Sequence, residues 1–168
     1  MKTKLLALAL LAVFLVGCHQ PGWKEFRSSA GAFSILLPGT PTEQISTAGP
    51  IDFHFFVLEQ KDITYMVGYS DYLDTLVQER TPDVMLDGTR DGAVANVQGK
   101  LLSELIISLN EYPGRELKIE SHGGKVTTKT RIFMVGHRLY QVMVATRKEK
   151  AFSENVKRFL DSFKLLEK

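Results

Sequence analysis

The residue types that could do chemistry in this chain are few, and their spacing narrows them further. Among 168 residues there is one cysteine, Cys18. A lone cysteine excludes an intrachain disulfide, a cysteine-based zinc site and an iron–sulfur cluster. The four histidines, His19, His54, His122 and His137, contain no pair at +2 or +4 spacing, so no local metal motif exists. Asp52 and His54 share one face of an apolar segment and could contribute two metal ligands, where a structural site wants four. Nucleophilic catalysis needs a serine or cysteine beside a base and an oxyanion hole. Gly-x-Ser-x-Gly does not occur, and Gly68-Tyr69-Ser70 lacks the following glycine. The glycines form neither a Walker nor a dinucleotide fingerprint. The acidic run Asp71, Asp74, Glu79, Asp83, Asp87 and Asp91 lacks the regular spacing of a calcium loop and reads as a solvated face. These observations predict no catalytic residue, no metal and no dissociable cofactor.

Cys18 takes its meaning from what precedes it. Met1-Lys2-Thr3-Lys4 carries two positive charges, and Leu5 to Val16 is an unbroken run of twelve apolar residues. As a helix that run spans ~18 Å, short of the ~30 Å hydrocarbon core of a bilayer. A basic start and a short apolar run read as a secretory signal rather than a membrane span. Leu15-Val16-Gly17-Cys18 resembles the lipobox of bacterial lipoproteins. The resemblance implies cleavage between Gly17 and Cys18, a thioether-linked diacylglycerol on Cys18 and an N-acyl lipid on its amine. Two or more acyl chains anchor a protein stably where one does not. In enterobacterial lipoproteins an aspartate after the cysteine retains the chain in the inner membrane. His19 stands there instead, which favours the periplasmic face of the outer membrane if the source has two membranes. The expected organisation is a signal peptide over 1–17, a lipidated tether over 18–22 and a single domain over 23–168.

Bulk composition is that of a globular domain, with 44% apolar and 24% charged residues. The formal charge of +2 is too weak to predict nucleic-acid binding. It also belongs to the signal segment, because 1–17 holds two lysines and no acid, leaving 19 basic and 19 acidic residues in the rest. That balance hides two opposed halves. Residues 18–110 hold 6 basic and 12 acidic side chains, a net of −6, whereas 111–168 hold 13 and 7, a net of +6. Such asymmetry predicts a dipolar surface that orients a protein partner or faces anionic headgroups. Its expected docking patch is Arg115, Lys118, Lys125, Lys129, Arg131, Arg147, Lys148 and Lys150. The competing reading pairs these cations with the acidic helix inside one fold.

Periodicity supplies the elements that must position these residues. Phe33 to Leu37 reads as a strand stopped by Pro38-Gly39-Thr40-Pro41. Glu43 to Thr47, Ile51 to Gln60 and Ile63 to Tyr69 follow as strands, the last two alternating in character. Asp71 to Arg80 reads as a polar loop. Thr81-Pro82 then predicts a helix start, with Leu86, Thr89, Ala93 and Val97 on one face. Gly88 and Gly92 inside that helix suggest close packing onto a sheet, and Gly99 a stop. Further strands are expected over Leu101 to Leu109, Arg115 to Ser121, Lys125 to Val135 and Arg138 to Thr146. Their turns fall at Asn110 to Gly114, His122-Gly123-Gly124 and Gly136-His137. A last helix carries the stripe Phe152, Val156, Phe159, Leu160 and Phe163. The predicted fold class is α+β, a mainly antiparallel sheet packed by two helices.

Several stretches together resemble the PsbP-like family, which includes the photosystem II subunit and lipid-anchored DcrB-type bacterial lipoproteins. They are Phe26 with Ser28, Gly31 and Phe33-Ser34-Ile35 through Pro38, then Tyr112-Pro113-Gly114-Arg115-Glu116, Arg138-Leu139-Tyr140 and Phe159-Leu160-Asp161-Ser162-Phe163. The resemblance implies an α/β sandwich and a non-enzymatic binding or assembly role. Three functional readings follow. One is a membrane-anchored binding factor docking a protein partner through its sheet or basic half. A second is a metal-dependent protein with a site near His54 and Asp52. A third is a structural envelope component.

Overall fold

The computed structural model describes residues 22–166. Cys18, Gly17 and the rest of the expected signal and tether as far as Pro21 lie outside the described residues. Ten strands and three helices follow in chain order. They are β1 (Lys24–Ser28), β2 (Phe33–Leu37), β3 (Thr42–Ala48), β4 (Ile51–Gln60), β5 (Ile63–Asp71), α1 (Asp74–Glu79), α2 (Pro82–Asn96), β6 (Lys100–Leu109), β7 (Tyr112–Ser121), β8 (Val126–Val135), β9 (Arg138–Arg147), α3 (Glu154–Asp161) and β10 (Lys164–Leu165).

Seven strands form one antiparallel sheet in the order β3-β4-β5-β9-β8-β7-β6, and β1-β2-β10 form a small second sheet. The fold is α+β, with every strand pair antiparallel. The central strands of the large sheet bury both faces because they alternate two apolar sets. Tyr65, Val67, Tyr140, Val142 and Val144 point to one side, where the small sheet and α3 cover them with Phe33, Ile35 and Phe159. Leu117, Ile119, Ile132, Met134 and Leu139 point to the other, where α2 covers them with Met85 and Leu86.

Local chemistry sets the boundaries. Thr81 caps α2, its hydroxyl accepting the Val84 N–H at 3.4 Å, with Pro82 at the first position. At the other end Gln98 takes φ +47°, and the Gly99 N–H reaches the Val94 carbonyl at 3.0 Å. This is the helix-closing turn with a left-handed residue just past the cap. Gly99 follows that residue because a Cβ there would sit 2.6 Å from the Ile119 side chain. Gly136 takes φ +61° and opens the two-residue turn from β8 to β9.

Four expectations change. Asp71 to Arg80 is not all loop: α1 occupies Asp74–Glu79 and packs Leu76 and Val77 against the α2 core. The β6–β7 turn is Asn110-Glu111 alone, Asn110 supplying φ +55°, and Tyr112-Pro113-Gly114 belongs to β7. Pro113 is tolerated there because it stands at the start of β7, before the ladder to β8 begins at Gly114 opposite Phe133. Gly88 and Gly92 are not sites of close packing, since a Cβ built on either meets nothing within 4 Å. Finally, α3 turns Val156, Phe159 and Leu160 inward, but Phe152 stands outside the core at 71% exposure.

Candidate functional site

The eight basic residues of the expected patch do not share one surface. Strand parity sends Arg115 to the α2 side with Leu117 and Ile119, and its side chain is only 9% exposed. There its guanidinium donates to Asp83 at 2.6 Å and lies 3.3 Å from Glu104. This corrects the expectation: a buried cation facing two carboxylates is part of the interior, not a docking group. Arg131 is similarly engaged, with Glu116 at 2.6 Å, Asp161 at 2.8 Å and the Leu160 carbonyl at 3.0 Å. Arg147 and Lys150 both hold Asp62, at 3.0 and 2.9 Å, and Lys148 holds Glu120 at 3.0 Å. Their combined pull keeps the Asp62 carboxyl below its usual range, the Lys150 hydrogen bond first among the causes. Lys118, Lys125 and Lys129 form no ion pair among the described residues. Of these, Lys118 and Lys129 flank the exposed Phe152 ring, their Nζ atoms 4.5 and 5.4 Å from its centroid. Lys125 is exposed on the neighbouring turn.

The two candidate metal ligands separate as well. Asp52 on β4 sits opposite Thr47 on β3 and accepts that hydroxyl at 2.6 Å. His54, one turn of the pleat along, lies parallel to the Tyr69 ring with centroids 4.6 Å apart, and its Nδ1 is 3.3 Å from Glu43 Oε1. The carboxylate beside His54 is therefore Glu43, from the next strand, and not Asp52. Among the described residues no group of three His, Cys, Asp or Glu side chains converges on one point.

His54 instead begins a polar row that the sequence reading did not anticipate. Arg138 covers the Tyr69 ring at 4.6 Å and grips Asp71 through two hydrogen bonds of 2.6 Å. The same guanidinium donates to the Ala30 carbonyl at 2.8 Å, and the Tyr140 hydroxyl donates to the Gly31 carbonyl at 2.8 Å. The hydrogen bond from Arg138 holds the Asp71 carboxyl below the ordinary aspartate value, and Asp71 raises Arg138 in return. Burial pushes the Tyr69 and Tyr140 hydroxyls up. All four groups stay in their ordinary charge states at neutral pH. The row clamps the β1–β2 turn of the small sheet to the large one. Register pairs Asp71 with Arg138 across β5 and β9, which sequence alone could not foresee.

Two further surfaces stand open among the described residues. A groove of about 300 Å³, of mixed polar and apolar lining, lies between Phe53 and Tyr72 on one wall and Val84, Gly88 and Gly92 of α2 on the other. The missing glycine side chains keep it open. The second surface is β6, an edge of the large sheet that pairs only with β7 among the described residues. It carries Leu102, Leu105 and Ile106 at 42, 57 and 82% exposure.

Structural likeness now bears on this arrangement. A cyanobacterial PsbP protein, CyanoP of Synechocystis sp. PCC 6803, superposes with a TM-score of 0.63 at 11% identity, covering 89% of this chain and 95% of that one. The fold is PsbP-like. A protein of unknown function from Pseudomonas aeruginosa, PA94, described as a putative regulator, gives a TM-score of 0.43 at 11% identity over 80% of this chain and 90% of its own. A Bacteroides thetaiotaomicron structure gives 0.47 at 11% identity over 86% of this chain and 49% of that one. No protein-family model matches the sequence, and no curated protein matches it. At these identities the likeness speaks for the PsbP-like fold alone. Among the described residues no helix is long and apolar enough to cross a membrane.

Proposed function

We propose that the chain is a lipid-anchored, non-catalytic binding or assembly factor of the bacterial cell envelope, tethered through Cys18 and engaging a protein partner along β6. The Leu15-Val16-Gly17-Cys18 lipobox supports the anchor. The His19 position supports placement on the periplasmic face of the outer membrane in a two-membrane source.

The single observation that carries the binding role is the edge strand. A ten-residue edge with unpaired ladder groups and three exposed large apolar side chains is what soluble monomers avoid. An extended partner segment adding to β6 would take up those ladder groups and cover Ile106 and Leu105. A photocrosslinker placed at position 106 of the full chain in native membranes tests this. Discrete adducts to one or two envelope proteins are expected, and they should vanish when Leu102 and Leu105, the other exposed apolar side chains of β6, are replaced by lysine. A crosslinker at 106 that captures nothing in native membranes, while the protein is folded and present, would overturn the binding role.

A further inference from the structure

We propose that Phe152, with Lys118 and Lys129, is a seat for the surface of an anionic lipid bilayer. This rests on the reading of Cys18 as a lipid anchor and adds which face of the domain that anchor brings to the membrane.

The chain presents Phe152 deliberately. The short turn Lys148–Lys150 ends in Ala151, which is buried at 1% exposure, and this sends the next side chain outward. Phe152 is then 71% exposed immediately before α3. An exposed aromatic ring ringed by ammonium groups is the pattern of side chains placed at a membrane interface, apolar body inward and charge at the headgroups. Lys118 and Lys129 also face each other directly across β7 and β8. Like charges in that position repel, and among the described residues neither has a carboxylate partner to relieve it. A phosphate or other anion placed over the ring would relieve both.

Position supplies the second argument. Trp23, where the described domain begins, packs edge-on against Tyr65 at 5.8 Å. Tyr65 pairs with Val144, Val144 with Lys129 and Lys129 with Lys118, so all four lie in one row on one face of the sheet. At about 4.8 Å per strand, Lys129 is roughly 10 Å and Lys118 roughly 14 Å from the row position under Trp23. Cys18 precedes Gly22 by four residues, a reach of at most about 14 Å. A lipidated Cys18 therefore holds this row, and not the opposite α2 side, against the bilayer. Arg158, 5.0 Å over the Trp23 ring, and the exposed Lys157 extend the positive rim between the two points.

The test uses the full chain carrying Phe152→Cys, extracted from membranes, labelled with an environment-sensitive thiol probe and reconstituted into vesicles containing phosphatidylglycerol. Labelling stoichiometry reports the anchor, because a lipidated Cys18 offers no free thiol. One probe per chain is expected. Two probes per chain would overturn the anchor reading and this proposal with it. Given one probe, we expect its emission to shift to the blue and its quenching by aqueous iodide to fall at least threefold relative to the same probe at Ile45, exposed on β3. Adding K118Q and K129Q should restore quenching, since each basic residue near an anionic surface is worth about fivefold in occupancy. A probe at 152 that iodide quenches as readily as one at 45 overturns the seat while leaving the anchor intact. A blue shift that appears only when envelope proteins are added, and not with lipid alone, also overturns it and assigns the patch to a protein partner. Because Phe152→Cys removes the ring itself, the unaltered chain is measured too: amide exchange over 150–157 should slow in anionic vesicles relative to phosphatidylcholine vesicles, and equal exchange counts against the seat.

Discussion

Replacing Arg115 by alanine separates a structural cation from a surface one, and the structure fixes how large the difference must be. The Arg115 side chain is 9% exposed and touches Asp83 at 2.6 Å, Glu104 at 3.3 Å and its neighbour's Gly114 carbonyl at 3.2 Å. A hydrogen bond to a charged group contributes about 1.5–3 kcal/mol. Asp83 is itself 72% exposed, so water screens that contact and discounts it. Glu104 is 25% exposed and keeps Arg90 at 3.2 Å after the change, so no buried carboxylate is stranded. With the lost packing of the arginine stem, the cost comes to about 2–3 kcal/mol. For a domain of this size that lowers Tm by about 8 °C. The comparison is Arg147→Ala, which removes one 3.0 Å pair of a 60% exposed arginine and leaves Lys150 on Asp62. Its cost is under about 0.5 kcal/mol. Urea unfolding of both variants, followed by Trp23 fluorescence and far-ultraviolet circular dichroism, measures the difference. Losses equal within 0.5 kcal/mol would refute the division of the basic half into an interior cation and surface pairs.

Other consequences are equally direct. Gly88→Ala and Gly92→Ala should each stabilise the protein by up to about 1 kcal/mol, because helix propensity improves and no atom lies within 4 Å of the new methyl; thermal melts that fall instead would restore the close-packing expectation. Gly114→Ala should do the opposite and cost about 1–3 kcal/mol, since its Cβ would stand 2.5 Å from the Phe133 ring and 2.6 Å from the Ile132 carbonyl. Asp71 has its carboxyl lowered by Arg138, so its contribution is present above pH ~4 and is lost as pH falls through the lowered value. With Asp71 43% exposed the contribution is discounted to about 1 kcal/mol. Unfolding of the parent and Asp71→Asn between pH 2 and 7 should show a gap that is constant above pH 5 and closes on acidification; a gap that widens on acidification would contradict the sign.

Much of the fold was legible because apolar periodicity and turn chemistry agreed. Ile51 to Gln60 alternates as a strand must, Thr81-Pro82 starts α2, and Gly136 opens a hairpin. What failed were places where a local signal outranked a distant one. Pro113-Gly114 looks like a turn, but Gly114 is needed flat beneath Phe133 in β7, and Asn110 supplies the left-handed residue instead. The helix α1 has no side-chain cap on Leu73, so only Leu76 and Val77 betrayed it. Phe152 fits the +4 spacing to Val156, yet the turn before α3 places Ala151 inward in its stead. Arg115 could have been placed correctly, since parity with Leu117 and Ile119 puts it on a buried face. The charge count alone obscured this. The Asp71–Arg138 clamp and the Lys118–Lys129 opposition depend on register between strands 67 and 11 residues apart in sequence, which one sequence does not encode locally.

The central claim is that Cys18 anchors this domain to a membrane, and the mass of one peptide tests it most directly. Tryptic digestion of the membrane-extracted protein should yield a peptide running from Cys18 to Lys24, carrying diacylglycerol on sulfur and an acyl chain on its amine. A peptide that begins before Cys18, or one that begins at Cys18 with a free thiol, would contradict the account.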